Sequence, residues 1–304
     1  MTMTPIAISQ YACPSCGATV QTTDTQLSSL CTFCDTPIVK QNELSAHHFD
    51  ELMPFRINQQ EASQKIMQYI RDSWFVPNTL KKKIRPDELN NMFVPFWVLQ
   101  AKSSSTYSAE IGINYTETET VTTMKDGKMV TETRTVTKTD WHHLNGSHVV
   151  EFPDYIVCAS KGLPKHEIYA IEPFDFGQAL SFEPALLAGR TSELPVVDVD
   201  TSFAEGTAVL QGLVKQQIKA FLTGDSNRLG SIDTKIESNR TDIRAALLPM
   251  WVATVNHKGS PLRLLVNGQT GKVGGEIPKD WTKIVFLIFG AILLLVVIYF
   301  VGAA

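Results

Sequence analysis

Two segments of the chain carry a helical repeat of apolar positions. Residues 58–74 put Ala62, Ile66, Ile70 and Trp74 on one face, and Asn58 with Glu61 three positions later makes a capping box. Residues 202–222 align Phe203, Leu210, Val214, Ile218 and Phe221, with Gly224 as the stop. Both stripes are predicted core faces that pack on sheets. Two apolar runs, Phe93-Val94-Pro95-Phe96-Trp97-Val98 and Leu247-Leu248-Pro249-Met250-Trp251-Val252, share an apolar-Pro-apolar-Trp-Val order. Each reads as a buried strand with proline at its entry and tryptophan in the core. Each also lies downstream of one helix, an order compatible with a duplicated α+β unit.

A period of two dominates residues 103–139, which predicts a long β-hairpin turning at Asp126-Gly127. With that turn, Thr123 pairs with Val130 and Glu119 with Arg134. One face then carries Thr116, Thr118, Thr120 and Thr122 beside Thr131, Thr133, Thr135, Thr137 and Thr139. The other mixes Tyr115, Val121, Val130 and Val136 with charges. A solvated arm is the preferred reading, because threonine suits exposed strands. The competing reading is an edge for protein docking or self-association, since a long ribbon offers unpaired backbone groups. Further on, strands over 250–256 and 262–266 are joined by a turn at His257-Lys258-Gly259-Ser260-Pro261. The segment Asn267-Gly268-Gln269-Thr270-Gly271 lacks the strand-to-helix context of a phosphate cradle and is read as a tight turn.

Residues 284–301 (IVFLIFGAILLLVVIYFV) contain no charge, and as a helix they extend ~27 Å. A transmembrane helix is expected there, since a buried core helix normally keeps a polar face. Trp281 falls where interfacial aromatics sit, Lys279 and Lys283 flank the N-terminal side, and Gly302, Ala303 and Ala304 follow without positive charge. The positive-inside bias then puts the bulk of the chain in the cytoplasm and makes it a tail-anchored, single-pass protein. The expected organisation is a four-cysteine ribbon over 1–45, an α+β body with a mainly antiparallel sheet over 46–280, and the anchor over 281–304. The fold class is accordingly α+β.

Composition narrows the function. The 304 residues carry 27 Lys+Arg against 31 Asp+Glu, a net charge of −4, which excludes a generally basic nucleic-acid coat. An apolar content of 43% excludes wholesale disorder. Five cysteines do not make an even disulfide set, and the opening residues show no secretory signal. Four of the five form two C-x₂-C pairs, Cys13-Pro14-Ser15-Cys16 and Cys31-Thr32-Phe33-Cys34. Two-residue spacing lets a tight turn aim both sulfurs of a pair at one ion, and Gly17 follows where such a knuckle often needs positive φ. Zn²⁺ in a closed tetrahedral thiolate site is the expected occupant, ahead of disulfides or a redox pair. Residues 1–45 hold one base, Lys40, against Asp24, Asp35 and Glu43, so a structural or protein-docking ribbon is favoured over a nucleic-acid module. Cys158 lies in an apolar strand-like stretch and reads as a small buried hydrophobe.

Other candidate chemistry is sparse. His142, His143 and His148 cluster near Trp141 without a metal-ligand spacing, and His166-Glu167 lacks the second histidine of a metalloprotease helix. No nucleophile elbow, P-loop or dinucleotide fingerprint is present. The run Lys81-Lys82-Lys83-Ile84-Arg85 is expected to be a solvated loop, with contact to anionic headgroups as the minority reading.

The order of features resembles bacterial TFIIB-type zinc-ribbon membrane proteins. The resemblance covers nearly the whole chain: the four cysteines, Leu52-Met53-Pro54-Phe55, Phe93-Val94-Pro95-Phe96-Trp97, Ala188-Gly189-Arg190, Leu248-Pro249-Met250-Trp251, Val266-Asn267-Gly268-Gln269-Thr270-Gly271 and the terminal apolar run. It implies an inner-membrane platform that recruits phage-shock-A-like (ESCRT-III-like) or SPFH-type proteins, and transfers only Cys13, Cys16, Cys31 and Cys34, as zinc ligands. The primosomal or phage-replication label some members carry follows from the ribbon alone. The expectation is a non-enzymatic scaffold with no catalytic residue. The alternatives are a nucleic-acid-binding ribbon and a hydrolase whose site is assembled from scattered residues.

Overall fold

The computed structural model describes residues 8–77, 89–125, 128–224, 228–257 and 260–302. Strands β1 (Ile8–Ala12) and β2 (Thr19–Thr23) form one hairpin, and β3 (Gln26–Leu30) and β4 (Pro37–Val39) a second. Helix α1 (Gln41–Ala46), strand β5 (Glu51–Leu52) and helix α2 (Gln59–Asp72) precede two long strands, β6 (Leu89–Lys125) and β7 (Lys128–Cys158). After α3 (Lys165–Tyr169), β8 (Leu180–Ser181) and β9 (Thr191–Glu193) come α4 (Val199–Thr223), β10 (Arg228–His257), β11 (Ser260–Asn267), β12 (Val273–Gly274) and α5 (Trp281–Gly302). The chain divides into two units: Met1–Trp97 with Cys158–Asp198 and Arg244–Ala304, and Val98–Val157 with Val199–Ile243.

In the first unit the strand order is β12-β11-β10-β6-β9-β3-β4. Strand pairs are mainly antiparallel; β6–β9 and β5–β10 are parallel. The capping box at Asn58 is formed in both directions: its side chain accepts from the Glu61 amide, and the Glu61 carboxylate accepts from the Asn58 amide, each at 2.9 Å. Helix α2 buries Ala62, Ile66 and Ile70 against Trp251, Ala253, Leu264 and Val266. Trp74, predicted on that stripe, lies beyond the helix and is 63% exposed. A second cluster joins Leu27, Phe49, Leu52, Phe93, Leu187, Leu194 and Leu247. Both Pro-x-Trp segments enter the core, Trp251 buried but Trp97 only half-buried, and Pro95 and Pro249 lie inside β6 and β10 rather than at strand entries. Neither proline has an N–H to donate, but both carbonyls are used, accepting from Ala159 and Gly268. The tryptophans donate through Nε1 to the carbonyls of Val197 (Trp97, 2.8 Å) and Ile57 (Trp251, 2.9 Å).

In the second unit β7, β6 and β10 form a sheet with α4 on one face. The buried stripe of α4 is Ser202, Gly206, Leu210, Val214, Ile218 and Leu222, a strict four-residue step. Phe221 was placed on that stripe but is 71% exposed. The small Gly206 lets the helix approach Tyr155 and Val157, since an added Cβ would sit 2.8 Å from the Tyr155 ring. Gly224 stops the helix at φ 47°, as its position predicted. The hairpin register is the expected one. Glu119 meets Arg134 (3.7 Å), Thr122 meets Thr131 (3.4 Å), and Thr139 donates to Asn114 (2.9 Å). The same register continues to Lys102 and Glu151 (3.0 Å), so the hairpin is longer than the 103–139 stretch. The turn residues Asp126 and Gly127, the Lys258-Gly259 turn and the basic run at residues 81–85 lie outside the described residues.

The terminal helix requires a correction. Helix α5 covers Trp281–Gly302, but among the described residues no helix is long and apolar enough to cross a membrane. The single C-terminal transmembrane helix expected over 284–301 is therefore not supported. The tail-anchored, single-pass inner-membrane placement built on it falls with it.

The Asn267–Gly271 turn proves structural. Asn267 is fully buried; its Nδ2 donates to the carbonyls of Ile171 (2.9 Å) and Pro173 (3.0 Å), and its Oδ1 accepts from the amides of Gln269 and Thr270. Gln269 completes the junction by accepting from the Asp175 amide and donating to the Asp175 carbonyl. Asn267→Asp keeps the acceptor and removes both donated bonds, taking a donor from the buried Ile171 carbonyl and from the partly buried Pro173 carbonyl. We expect a loss of roughly 2–4 kcal/mol in denaturant-unfolding stability, against under ~0.5 kcal/mol for an exposed control such as Thr118→Ser.

Candidate metal centre

Each C-x₂-C pair sits at the tip of one N-terminal hairpin, and the two tips are built alike. Cys13 N donates to Ala18 O (2.8 Å) and Gly17 N to Cys13 O (3.0 Å). In the second knuckle Cys31 N donates to Thr36 O and Asp35 N to Cys31 O, both at 2.9 Å. The residue after the second cysteine of each pair has positive φ, 69° at Gly17 and 54° at Asp35. That conformation reverses the chain so that both sulfurs of a pair point to the same side.

The four sulfurs all lie within 4.8 Å of one another. Cys13 and Cys34 are separated by 3.6 Å, and Cys16 and Cys31 by 3.8 Å. A tetrahedron of thiolates with metal–sulfur bonds of about 2.3 Å has edges of ~3.8 Å, so the cluster already has the size of a metal-centred site. Cys13, Cys16, Cys31 and Cys34 are thus positioned to hold one metal ion. Cys13 and Cys31 are buried beside Val20 and Ile38, while Cys16 and Cys34 face solvent.

Electrostatics agree with the geometry. The Thr36 hydroxyl, 3.2 Å from the Cys34 sulfur, and the Thr36 amide bring the Cys34 thiol down to about 6. Hydrogen bonding to the Cys16 amide lowers Cys13. The Ala18 amide pulls Cys16 the same way, but the neighbouring Cys34 sulfur, burial and the Cys13 and Cys31 sulfurs outweigh it and push that thiol up to about 12. Negative charge already gathered on the cluster opposes ionisation of the last thiol, and a cation at the centre removes that opposition.

The ribbon is sewn into the sheet of its own unit. Strand β3 pairs with β9, Ser28 opposite Ser192, and their hydroxyls meet at 2.7 Å with both side chains buried. Leu27 on the same strand enters the core beside Phe93 and Leu247. Lys40 is 3% exposed; its ammonium donates to the Thr23 carbonyl (2.7 Å) and lies 5.2 Å from the Tyr11 ring centre. Burial lowers its pKa.

The remaining candidates do not converge. His143 contacts Ser108 and His142 pairs with Asp140, and the four cysteines are the group of potential metal ligands that comes together among the described residues. His166 and Glu167 go to separate partners, Glu276 and Arg263, each at 3.5 Å. Cys158 is fully buried, and burial raises its thiol to about 11. Sequence reading missed Ser160, a buried residue whose hydroxyl donates to the half-buried Glu193 carboxylate and accepts from the Gly162 amide. Burial raises the Glu193 carboxyl. With its hydroxyl both donating and accepting, Ser160 is a structural link.

One cysteine knuckle on each of two N-terminal hairpins thus makes a group positioned to hold a metal ion. An uncharacterized Bacillus subtilis (strain 168) protein, YdjG, is 23% identical over 237 residues, which cover 77% of this chain and 65% of YdjG. The match thus spans less than two thirds of that relative's length. No family model and no solved structure matches the chain.

Two outcomes are expected. Metal binding at pH 7 displaces the proton that Cys16 retains, so calorimetry in buffers of different ionisation enthalpy will show proton release, and affinity will fall as pH is lowered. At the knuckles, Asp35→Gly will change stability of the metal-loaded chain by no more than about 1 kcal/mol, because strain relief and lost backbone restriction offset one another. Gly17→Val will lower it by roughly 1–2 kcal/mol through backbone conformation alone, since no atom lies within 4 Å of the added Cβ.

Proposed function

We propose that this chain is a non-enzymatic zinc-ribbon scaffold that acts by binding other proteins. Zinc is the best fit for the cluster: four thiolates in a closed tetrahedron suit a borderline-soft ion without redox chemistry and leave no open position for water or substrate. The reading rests chiefly on the fate of Lys40. It is the single Lys or Arg of residues 1–45, and its ammonium is turned inward onto the Thr23 carbonyl. The ribbon surface therefore offers no cationic side chain to a phosphate backbone, whereas nucleic-acid ribbons depend on clustered Lys and Arg.

Protein recognition has a natural platform in the β6–β7 hairpin. Its threonine face is exposed from Thr116 to Thr122 and from Thr131 to Thr137, and its charges are paired internally: Lys138 lies 2.6 Å from Glu117 and 2.9 Å from Glu119. Those carboxylates raise the Lys138 pKa, and Lys138 in turn lowers that of Glu119. A long ribbon that pairs part of its charge internally is suited to backbone pairing with another extended strand. The resemblance to TFIIB-type zinc-ribbon proteins points to phage-shock-A-like or SPFH-type proteins as the partners. The test is direct binding between the purified full-length chain and a phage-shock-A-like or SPFH-type protein of its own organism, measured by sedimentation. We expect a stoichiometric complex that survives nuclease treatment, and no DNA or RNA binding at low salt. Salt-sensitive nucleic-acid affinity with no protein complex would overturn the proposal.

A further inference from the structure

A cavity of about 850 Å³ opens in the first unit between the end of α2 and the residues leading into α5. Its walls include four aromatic residues, Tyr69, Trp74, Phe75 and Trp281. Two carboxylates, Asp72 and Glu276, stand among them, with Lys279 as the cation of the lining. The volume is in the range of small-molecule sites, roughly 300–1,000 Å³. We propose that this cavity binds a small organic cation of the quaternary-ammonium type.

Tyr69 packs against the core, but the two indoles are not explained by core packing. Trp74 is 63% and Trp281 74% exposed, so two indoles of one cavity are left facing solvent. Indole faces attract a cation within about 6 Å through their quadrupole, and a methylated ammonium also gains from apolar contact with the same rings. Asp72 and Glu276 supply long-range attraction against the single charge of Lys279, which leaves the lining net negative. Glu276 also stands 3.5 Å from His166 Nε2 through its Oε1, an exposed contact. A hard metal cation is not favoured, because two carboxylates among four aromatic walls fall short of the six or more oxygen ligands it takes.

The walls are held in place. Lys283 donates to the carbonyls of Trp74 (3.3 Å) and Val76 (2.8 Å), and the Asp280 amide donates to the Phe75 carbonyl (2.7 Å). The chain entering α5 is therefore tied to the turn that carries Trp74 and Phe75. Trp74 and Phe75 rings are tilted with centres 5.6 Å apart. Tyr69 reaches the Gly275 carbonyl at 3.4 Å from its hydroxyl, leaving its ring as cavity wall.

The experiment is calorimetric titration of the full-length chain with choline and with its neutral isostere 3,3-dimethyl-1-butanol. The proposal expects choline to bind and the isostere to bind far more weakly. Trp74→Ala and Trp281→Ala should each weaken choline by roughly five- to thirtyfold, and Asp72→Asn should weaken it as well. Both indoles are exposed, so unchanged thermal unfolding of these variants separates lost binding from lost folding. Glycerophosphocholine identifies the source of the ammonium. Binding tighter than choline, lost in Lys279→Glu, assigns a phosphorylated headgroup; weaker binding assigns a free ammonium compound. Equal affinity for choline and its isostere, or no heat from either, would overturn the proposal. That outcome would leave the metal centre and the scaffold reading untouched.

Discussion

Repulsion among four sulfurs held a few ångströms apart is the constraint on which the N-terminal part of the structure depends. The backbone of each knuckle is arranged to favour thiolate: amides point at Cys13 and Cys34, and Thr36 adds its hydroxyl. The same convergence makes the last ionisation at Cys16 unfavourable. A cation at the centre reverses that balance and turns the cluster into a clamp between two hairpins that share only a small apolar core, Cys13, Val20, Cys31 and Ile38. The clamp in turn fixes β3, whose other edge pairs with β9.

This connection changes how the ribbon is understood. A metal knot that merely folds its own few residues would be a separate bead on the chain. Here Leu27 lies in the same cluster as Phe49, Phe93 and Leu247, and Ser28 bonds both the Ser192 hydroxyl and the Arg190 carbonyl. The Arg190 guanidinium then stacks over Phe55, 4.4 Å from the ring centre, with burial lowering its pKa. Loss of metal is expected to propagate along that path into the sheet of the first unit.

Much of this was legible in the residues. The cysteine spacing, the Asn58–Glu61 box, the hairpin register and the tight turn at Asn267-Gly268 all follow from local chemistry, where a few neighbouring positions determine the geometry. What local pattern does not carry is long-range. Nothing near Ser28 announces Ser192, and the pairing of β3 with β9 is decided by packing across the sheet. Trp74 and Phe221 fit a helical repeat on paper but fall outside the buried stripe, because α2 ends at Asp72 and α4 buries positions at a strict four-residue step. The first half of β10 was missed because its alternation of Leu229, Ile232 and Ile236 with charged residues is irregular. At the far end the apolar run forms a helix, as its composition implied, but composition alone did not establish a membrane span.

The most direct test is X-ray absorption at the zinc edge on the purified chain, combined with metal quantification. The account predicts one zinc per chain with a first shell of four sulfurs at about 2.3 Å and no oxygen or nitrogen ligand. A metal-free protein that keeps its folded stability, or a first shell containing light atoms, would contradict it.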